Sequence, residues 1–118
     1  MFKVIVAGGR DFNNYELLKN KLDILLSNIS DEIIIVSGKA RGADSLGERY
    51  ALEKGYRIAE FPAQWDKFGK RAGYIRNEEM ARYSDACVCF WDGQSKGTKH
   101  MIDLSKKYNL KLRVIEYQ

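Results

Sequence analysis

Strand-like and helix-like segments alternate along the whole chain, and this alternation restricts the possible folds more than any other feature. Short apolar runs predict five strands, and segments with apolar residues three or four positions apart predict four helices between them. Strands joined through helices require right-handed crossovers, which build a parallel sheet covered by helices on both faces. We therefore expect an α/β fold of three layers, with a five-stranded, mostly parallel sheet and about four helices.

The pattern corresponds to a Rossmann-like αβα sandwich formed by a single domain, residues 1–118. The predicted strands are 2–7, 32–36, 57–61, 86–91 and 111–117, and the predicted helices are 14–28, 43–54, 74–83 and 98–108. Asn13 with Glu16, and Ser45 with Glu48, have the spacing of a capping box, and Gly55 is typical of a helix end. The order of the strands does not follow from one sequence.

Composition excludes several classes of protein. Of the 118 residues, 45% are hydrophobic and 31% are charged, which is typical of a globular domain and not of a disordered segment. The apolar runs are the length of strands, and the first residues enter a strand without the layout of a signal peptide. We expect a cytoplasmic protein that makes no contact with a membrane.

The two cysteines, Cys87 and Cys89, alternate along a predicted strand and so lie on the same face of it. This spacing is too constrained for an ordinary disulfide, and we expect two buried thiols. The chain has a single histidine, His100, and therefore offers few of the ligands that a metal site requires. We expect no metal and no other cofactor.

The turns that follow the strands are the expected place for a ligand, because open parallel sheets bind ligands beyond the carboxyl ends of their strands. These turns span residues 8–11, 38–44, 62–76 and 92–99. Lys and Arg outnumber Asp in them, so the net charge of +4 is concentrated at one end of the sheet. A field of one sign suits a ligand that carries phosphates, and ordinary solvated charge is the alternative.

Gly97 and Thr98 lie between a predicted strand and a predicted helix, as a phosphate-binding turn would. A glycine lets an anion approach the backbone, the first amides of the helix point at that anion, and the threonine hydroxyl is a further donor. The alternative is that the pair only turns the chain and caps the helix.

The first two turns, 8–11 and 38–44, are also rich in glycine. Neither matches the dinucleotide fingerprint or the Walker loop, which disfavours triphosphate hydrolysis. Asp11 and Asp44 either cap the helices that follow or bind ribose hydroxyls. Because there is one histidine, most Ser-His-acid and Cys-His mechanisms are excluded as well.

The third turn sets the aromatic residues Trp65 and Phe68 among Lys67, Lys70 and Arg71. They would offer a base-stacking plane beside a phosphate clamp, or they would pack the loop against the domain.

Arg76 and Asn77 open the next predicted helix, where a guanidinium can bind a phosphate through two bonds and an amide can bind a base or a ribose. Met80, Tyr83 and Met101 are predicted to belong to the core.

Six motifs follow one another along the chain. They are Gly8-Gly9-Arg10-Asp11-Phe12, Ser37-Gly38 with Arg41-Gly42-Ala43-Asp44, Phe61-Pro62-Ala63-x-Trp65, Gly69-Lys70-x-Ala72-Gly73, Arg76-Asn77-x-x-Met80 and Gly97-Thr98. Together they resemble the YspA-type (YAcAr-like) branch of the SLOG superfamily, which includes the DNA-processing protein DprA and the LOG phosphoribohydrolases. The resemblance implies one Rossmann-like domain that binds nucleotides or nucleotide-derived ligands and forms homo-oligomers.

The chain departs from the LOG enzymes at the residues that serve catalysis. LOG enzymes use an arginine and a glutamate to cleave the N-glycosidic bond of a nucleoside monophosphate; the arginine is matched by Arg76, but Met101 stands at the glutamate position. Asp103 lies roughly 200° further around the helix and is a poor replacement. The resemblance therefore implies that the binding part of the motif is retained and the catalytic part is lost.

We predict a nucleotide-binding protein that acts as a sensor or a sequestering module. The alternatives are a hydrolase of a nucleotide N-glycosidic bond and a single-stranded DNA-binding protein. The candidate ligand-binding residues are Gly8, Gly9, Arg10, Asp11, Ser37, Gly38, Arg41, Gly42, Asp44, Trp65, Arg71, Gly73, Arg76, Asn77, Gly97 and Thr98. The candidate catalytic residues are Arg76, Asp11, Asp44 and Asp92.

Overall fold

Five parallel strands form one sheet in the computed structural model, which describes residues 1–118. The strands are β1 (Phe2–Gly8), β2 (Ile33–Ser37), β3 (Arg57–Glu60), β4 (Ala86–Trp91) and β5 (Lys111–Glu116). Their order across the sheet is β3-β2-β1-β4-β5. The predicted parallel α/β sandwich is confirmed. The strand order did not follow from the sequence and is defined by the structure.

Four helices of 12 residues connect the strands, as predicted. These four are α1 (Tyr15–Leu26), α2 (Ala43–Lys54), α4 (Ala72–Tyr83) and α5 (Lys96–Lys107), and a fifth helix of one turn, α3 (Trp65–Phe68), precedes α4. The third turn, expected to be an irregular loop, contains α3 and a 3₁₀ turn at Gly69–Arg71. Because α4 begins at Ala72, Arg76 and Asn77 lie in its second turn and do not open it. None of the helices is both long and apolar enough to cross a membrane.

Two of the predicted helix caps are wrong. The residue that caps α1 is Asn14, whose side chain accepts a hydrogen bond from the Leu17 amide at 3.0 Å. Ser45 lies inside α2, whose cap residue Gly42 has no side chain to offer. The hydroxyl of Ser45 instead donates to the Ala40 carbonyl at 3.1 Å, because the loop before α2 folds back over its first turn.

The core has two parts, one on each face of the sheet. Val4 and Val6 of β1 point to the face covered by α1 and α2, whereas Ile5 and Ala7 point to the face covered by α4 and α5. Met80, Met101 and the thiols of Cys87 and Cys89 are buried in the second part, and Tyr83 packs against it, as predicted.

The strand order reverses between β1 and β4, where three of the four predicted turns meet. The chain builds outward from β1 to β2 and β3, then returns to the other side of β1 to form β4 and β5. The amide of Gly9 donates to the Phe90 carbonyl at 3.1 Å, which joins the ends of the two central strands. Such a reversal opens a crevice at the carboxyl ends of the central strands, where ligands bind in open α/β sheets.

Candidate functional site

A crevice of about 420 Å³ occupies this position, and we call it the switch-point crevice. Three of the predicted turns and helix α4 contribute to its walls. The lining residues are Ala7, Gly8, Gly9, Arg10, Asp11, Ala40, Asp44, Arg76, Asn77, Met80, Asp92, Ser95, Gly97, Thr98 and Met101.

The glycines of the first two turns allow these turns to pack against each other. The Gly9 carbonyl accepts a hydrogen bond from the Ala43 amide at 3.2 Å. A Cβ at Gly42, which has a φ of +74°, would lie 2.7 Å from the Arg10 carbonyl carbon. By contrast, a Cβ at Gly97 would meet no atom within 4 Å. Of these, only Gly97 leaves open space at its Cβ position, on the wall of the crevice.

The first turn of α5 is capped by Ser95. Its Oγ accepts hydrogen bonds from the amide and the hydroxyl of Thr98, at 3.4 and 3.2 Å. Thr98 is buried, so its hydroxyl serves the cap. The backbone amides of Lys96 and Gly97 donate to no acceptor in the chain, and Gly97 lines the crevice, so its amide is open to a ligand there.

Asp92 shapes the turn that leads into α5. Its Oδ1 accepts hydrogen bonds from the amides of Gln94 and Ser95, both at 2.8 Å. These two bonds stabilise the carboxylate and lower the pKa of Asp92. Asp92 therefore stays charged at the mouth of the crevice, where it organises the backbone.

Arg76 crosses the crevice from α4 to the second turn. Its Nη1 donates to the Gly38 carbonyl, and its Nε donates to the Asn77 side-chain oxygen at 3.0 Å. Burial lowers the pKa of Arg76; nearby Asp44 opposes that shift, and the neighbouring charge of Arg10 adds to it. The guanidinium groups of Arg76 and Arg10 thus share one buried carboxyl, that of Asp44, so this wall of the crevice carries a net positive charge.

Asp44 is the most deeply buried carboxyl of the site, with 6% of its surface exposed. Its Oδ2 accepts the Ala40 amide at 3.2 Å, so it supports the preceding loop and does not cap α2. Burial raises the pKa of Asp44 to about 6, against the opposing effects of the Ala40 amide and of Arg76. A carboxyl of this kind exchanges a proton close to neutral pH, as an acid–base group does.

Asn77 joins α4 to the first turn of α5. Because its oxygen accepts from Arg76, its amino group faces the Gly97 carbonyl at 3.4 Å and the Nδ1 of His100 at 3.2 Å. Burial lowers the pKa of His100, which favours the neutral ring that this contact requires. Asn77 is fully engaged within the protein, although it lines the crevice.

A second cavity of about 270 Å³ adjoins the first, and we call it the Trp65 cavity. It shares the side chains of Arg10, Ala40 and Arg76 with the switch-point crevice. Its remaining lining residues are Gly38, Lys39, Arg41, Pro62, Ala63 and Trp65.

Four candidate ligand-binding residues line neither cavity. They are Ser37, Gly42, Arg71 and Gly73. Ser37 is buried, and its hydroxyl donates to the Glu48 carboxylate at 2.6 Å. Gly42 packs against the first turn, and Arg71 is exposed at the end of the 3₁₀ turn.

Sequence reasoning missed five lining residues of the switch-point crevice, one of which is Ala7 at the end of β1. Met80 and Met101 were expected only in the core, and they also form the floor of the crevice. Ala40 carries no chemical signal in the sequence. Ser95 does carry one, because a serine three residues before Thr98 has the spacing of a helix cap. No three His, Cys, Asp or Glu side chains lie together as a metal site would require.

Comparisons with known proteins agree with this architecture. A family model described as the YspA, cpYpsA-related SLOG family matches residues 2–68. The Gene 61 protein of Mycobacterium phage D29 is 32% identical over 113 residues, which cover 91% of this chain and 90% of that protein.

Solved structures of two DNA processing proteins share the fold. DprA from Streptococcus pneumoniae superposes with a TM-score of 0.77 at 17% identity, over 100% of this chain and 51% of that one. DprA from Helicobacter pylori, described for its single-stranded DNA binding mode, superposes with a TM-score of 0.70 at 20% identity. That match covers 99% of this chain and 66% of the DprA chain. The chain thus spans about half of one DprA chain and about two thirds of the other.

Proposed function

The chain belongs to the YspA, cpYpsA-related SLOG family, and from this membership we propose that it binds a nucleotide or nucleotide-derived ligand in the switch-point crevice. Residues 1–118 act as a single binding domain in this proposal. The phosphate of the ligand meets Arg10, Arg76 and the free amides of Lys96 and Gly97, and the ribose hydroxyls bond to Asp11 or Asp44.

The observation that carries the proposal is that Arg10 and Arg76 line the same crevice as the first turn of α5, where the amides of Lys96 and Gly97 have no acceptor. A phosphate between them would replace the repulsion of the two guanidinium groups by charge-assisted hydrogen bonds on both sides. The volume of about 420 Å³ also falls within the range of roughly 300–1,000 Å³ that is usual for small-molecule sites.

A sensor or sequestering role is preferred because the floor of the crevice is apolar. Met80 and Met101 are 2% and 1% exposed, and a thioether can neither hold charge nor transfer a proton. Met101 also stands where the resemblance to LOG enzymes places their glutamate.

Titration calorimetry with AMP tests the proposal. Arg10→Ala should weaken AMP binding about 10- to 100-fold, because a hydrogen bond to a charged group contributes roughly 1.5–3 kcal/mol. Arg71→Ala is the matched control, since Arg71 is an exposed arginine outside both cavities. If both variants lose the same amount of AMP affinity, the binding depends on general surface charge, and the proposed site is overturned.

Hydrolysis of a nucleotide N-glycosidic bond is a second candidate, and the carboxyl of Asp44 favours it. With a pKa raised to about 6 by burial, Asp44 can donate a proton to a leaving base near neutral pH. Asp11 and Asp92 are less suited because both carboxylates lie near the surface. Mass spectrometry of the protein with AMP should then reveal free adenine, and Asp44→Asn should abolish that turnover while AMP still binds.

Single-stranded DNA binding is a third candidate, supported by the fold shared with the DprA proteins and by the four positively charged residues that line the Trp65 cavity. It requires affinity for an oligonucleotide that falls steeply with salt. We also propose, from the family resemblance, that the chain forms homo-oligomers, which light scattering of the purified protein tests directly.

A further inference from the structure

The Trp65 cavity and the switch-point crevice adjoin each other along a boundary formed by two arginines. Arg10 and Arg76 line both cavities, so a group placed between them touches both. Four of the nine residues around the Trp65 cavity carry positive charge, and none carries a carboxylate. The second cavity is therefore suited to part of an anionic ligand.

The positive charge around the Trp65 cavity is only partly neutralised by the protein. Lys39 pairs with Glu48 at 3.0 Å and with Glu60 at 3.3 Å. Arg10 and Arg41 form no ion pair. A phosphate that links two parts of one ligand would neutralise this charge at the boundary between the cavities.

Trp65 provides the aromatic surface that a nucleobase would use. It is 51% exposed and lines the Trp65 cavity, so part of its ring is open to a ligand. A Cβ added at Gly73 would lie 3.5 Å from Cη2 of Trp65, so the ring edge rests against α4. Bases stack on such exposed rings in a sequence-tolerant way.

The opposite flank of the switch-point crevice has the wrong charge for further phosphates. A third cavity there, of about 600 Å³, shares Asp11 and Asp92 with the switch-point crevice and has no Lys or Arg in its lining. A polynucleotide that continued in this direction would bring its phosphates against two carboxylates.

We propose that the ligand is a dinucleotide: one nucleotide lies in the switch-point crevice with its 5′-phosphate at the free amides of α5, the linking phosphate lies between Arg10 and Arg76, and the second base stacks on Trp65. This inference rests on the proposed function, because the first nucleotide occupies the crevice described above. It adds a second base subsite and limits the ligand to two nucleotide units.

Binding of AMP, ADP and the 5′-phosphorylated dinucleotide pApA, measured by calorimetry at one salt concentration, tests the proposal. ADP is the matched control for the second phosphate, since it adds that charge without a second base. Stacking of one base corresponds to about a 5- to 150-fold gain in affinity. The affinity for pApA should therefore exceed that for ADP by about tenfold or more. Trp65→Ala should remove this gain and leave AMP binding unchanged, whereas Trp65→Phe should keep most of it.

The outcomes separate the two proposals. Absence of binding of AMP and of pApA, or binding that Arg10→Ala does not weaken, overturns the proposed function itself. If AMP binds but pApA binds no more tightly than ADP, or if Trp65→Ala weakens AMP and pApA equally, only the second subsite is refuted. Affinity that continues to rise from pApA to a ten-residue oligoadenylate overturns the dinucleotide in favour of a single strand.

Discussion

The hydroxyl of Tyr117 donates a hydrogen bond to Oδ1 of Asp11 at 2.8 Å, although the two residues are 106 positions apart. The Tyr117 ring also packs edge-on against Phe12, with ring centroids 4.7 Å apart. Burial raises the pKa of Tyr117, and the carboxylate of Asp11 adds to the shift. The segment after β5 thus holds the turn after β1 in place at the rim of the switch-point crevice.

Tyr117→Phe should lower the free energy of unfolding by about 1 kcal/mol, because the hydrogen bond is lost while the ring contact remains. Urea denaturation measures this change. Tyr56→Phe is the control, since the Tyr56 ring packs near Tyr50 but its hydroxyl has no hydrogen-bond partner in the chain. If both variants are equally stable, the bond from Tyr117 to Asp11 contributes nothing.

Two glycines inside helices should respond to alanine in opposite directions. Gly97→Ala should raise the free energy of unfolding by about 0.5–1 kcal/mol, because the space is open and alanine favours the helix. Gly47→Ala should lower it by about 1–3 kcal/mol, because the new Cβ would lie 2.8 Å from Cβ of Val6. Urea denaturation of both variants measures the difference, and the same sign for both would contradict it.

Gly97→Ala also separates stability from binding. Gly97 lines the crevice, so a methyl group at its open Cβ position should crowd a phosphate bound at its amide, and AMP affinity should fall even though the protein becomes more stable. Unchanged affinity in a stabilised variant would place the phosphate elsewhere.

Asp44 should make the protein less stable as the pH rises. Its pKa is raised to about 6 in the folded protein, so the folded state binds a proton that the unfolded chain releases near pH 4. Stability from this group is therefore present at low pH and is lost as the pH rises towards and through 6. A shift of about two pKa units corresponds to about 3 kcal/mol.

Asp44→Asn removes this dependence. The difference in free energy of unfolding, variant minus wild type, should become about 3 kcal/mol more positive between about pH 4 and pH 7.5. Urea denaturation of both proteins at the two pH values measures it. Other titrating groups cancel in this difference. A difference that does not change with pH would show that the Asp44 pKa is not raised.

His100 should titrate below its usual range. Burial lowers its pKa, so the folded protein holds the proton less tightly than the unfolded chain, and stability falls as the pH drops below about 6.5. Because the chain has one histidine, a proton NMR titration reports this group alone.

Asn77→Asp should raise the pKa of His100 in the same titration, because a carboxylate would then face Nδ1, which lies 3.2 Å from the amide nitrogen of Asn77. Asn77→Ser, which brings no charge, is the control. A wild-type value at or above 6.5 would contradict the burial of the ring.

The sequence was sufficient to predict the elements of the fold because their signals are local. The apolar runs and their spacing predicted every strand and every long helix to within a few residues, and the alternation required a parallel sheet. The family resemblance is confirmed, and it came from short motifs that can be recognised without coordinates. Burial of Cys87 and Cys89 also followed from local alternation.

Contacts between distant segments were decided only by the tertiary structure. The glycines of the first two turns predicted phosphate binding. Gly42, however, is required because a side chain there would clash with the backbone of the first turn. Ser37 was predicted to bind the ligand, yet its hydroxyl donates a hydrogen bond to the Glu48 carboxylate. The raised pKa of Asp44, the bond from Asn77 to α5 and the shared wall of the two cavities all depend on the strand order β3-β2-β1-β4-β5. Local propensity determines which segments become strands and helices, whereas burial and charge depend on which segments become neighbours after folding.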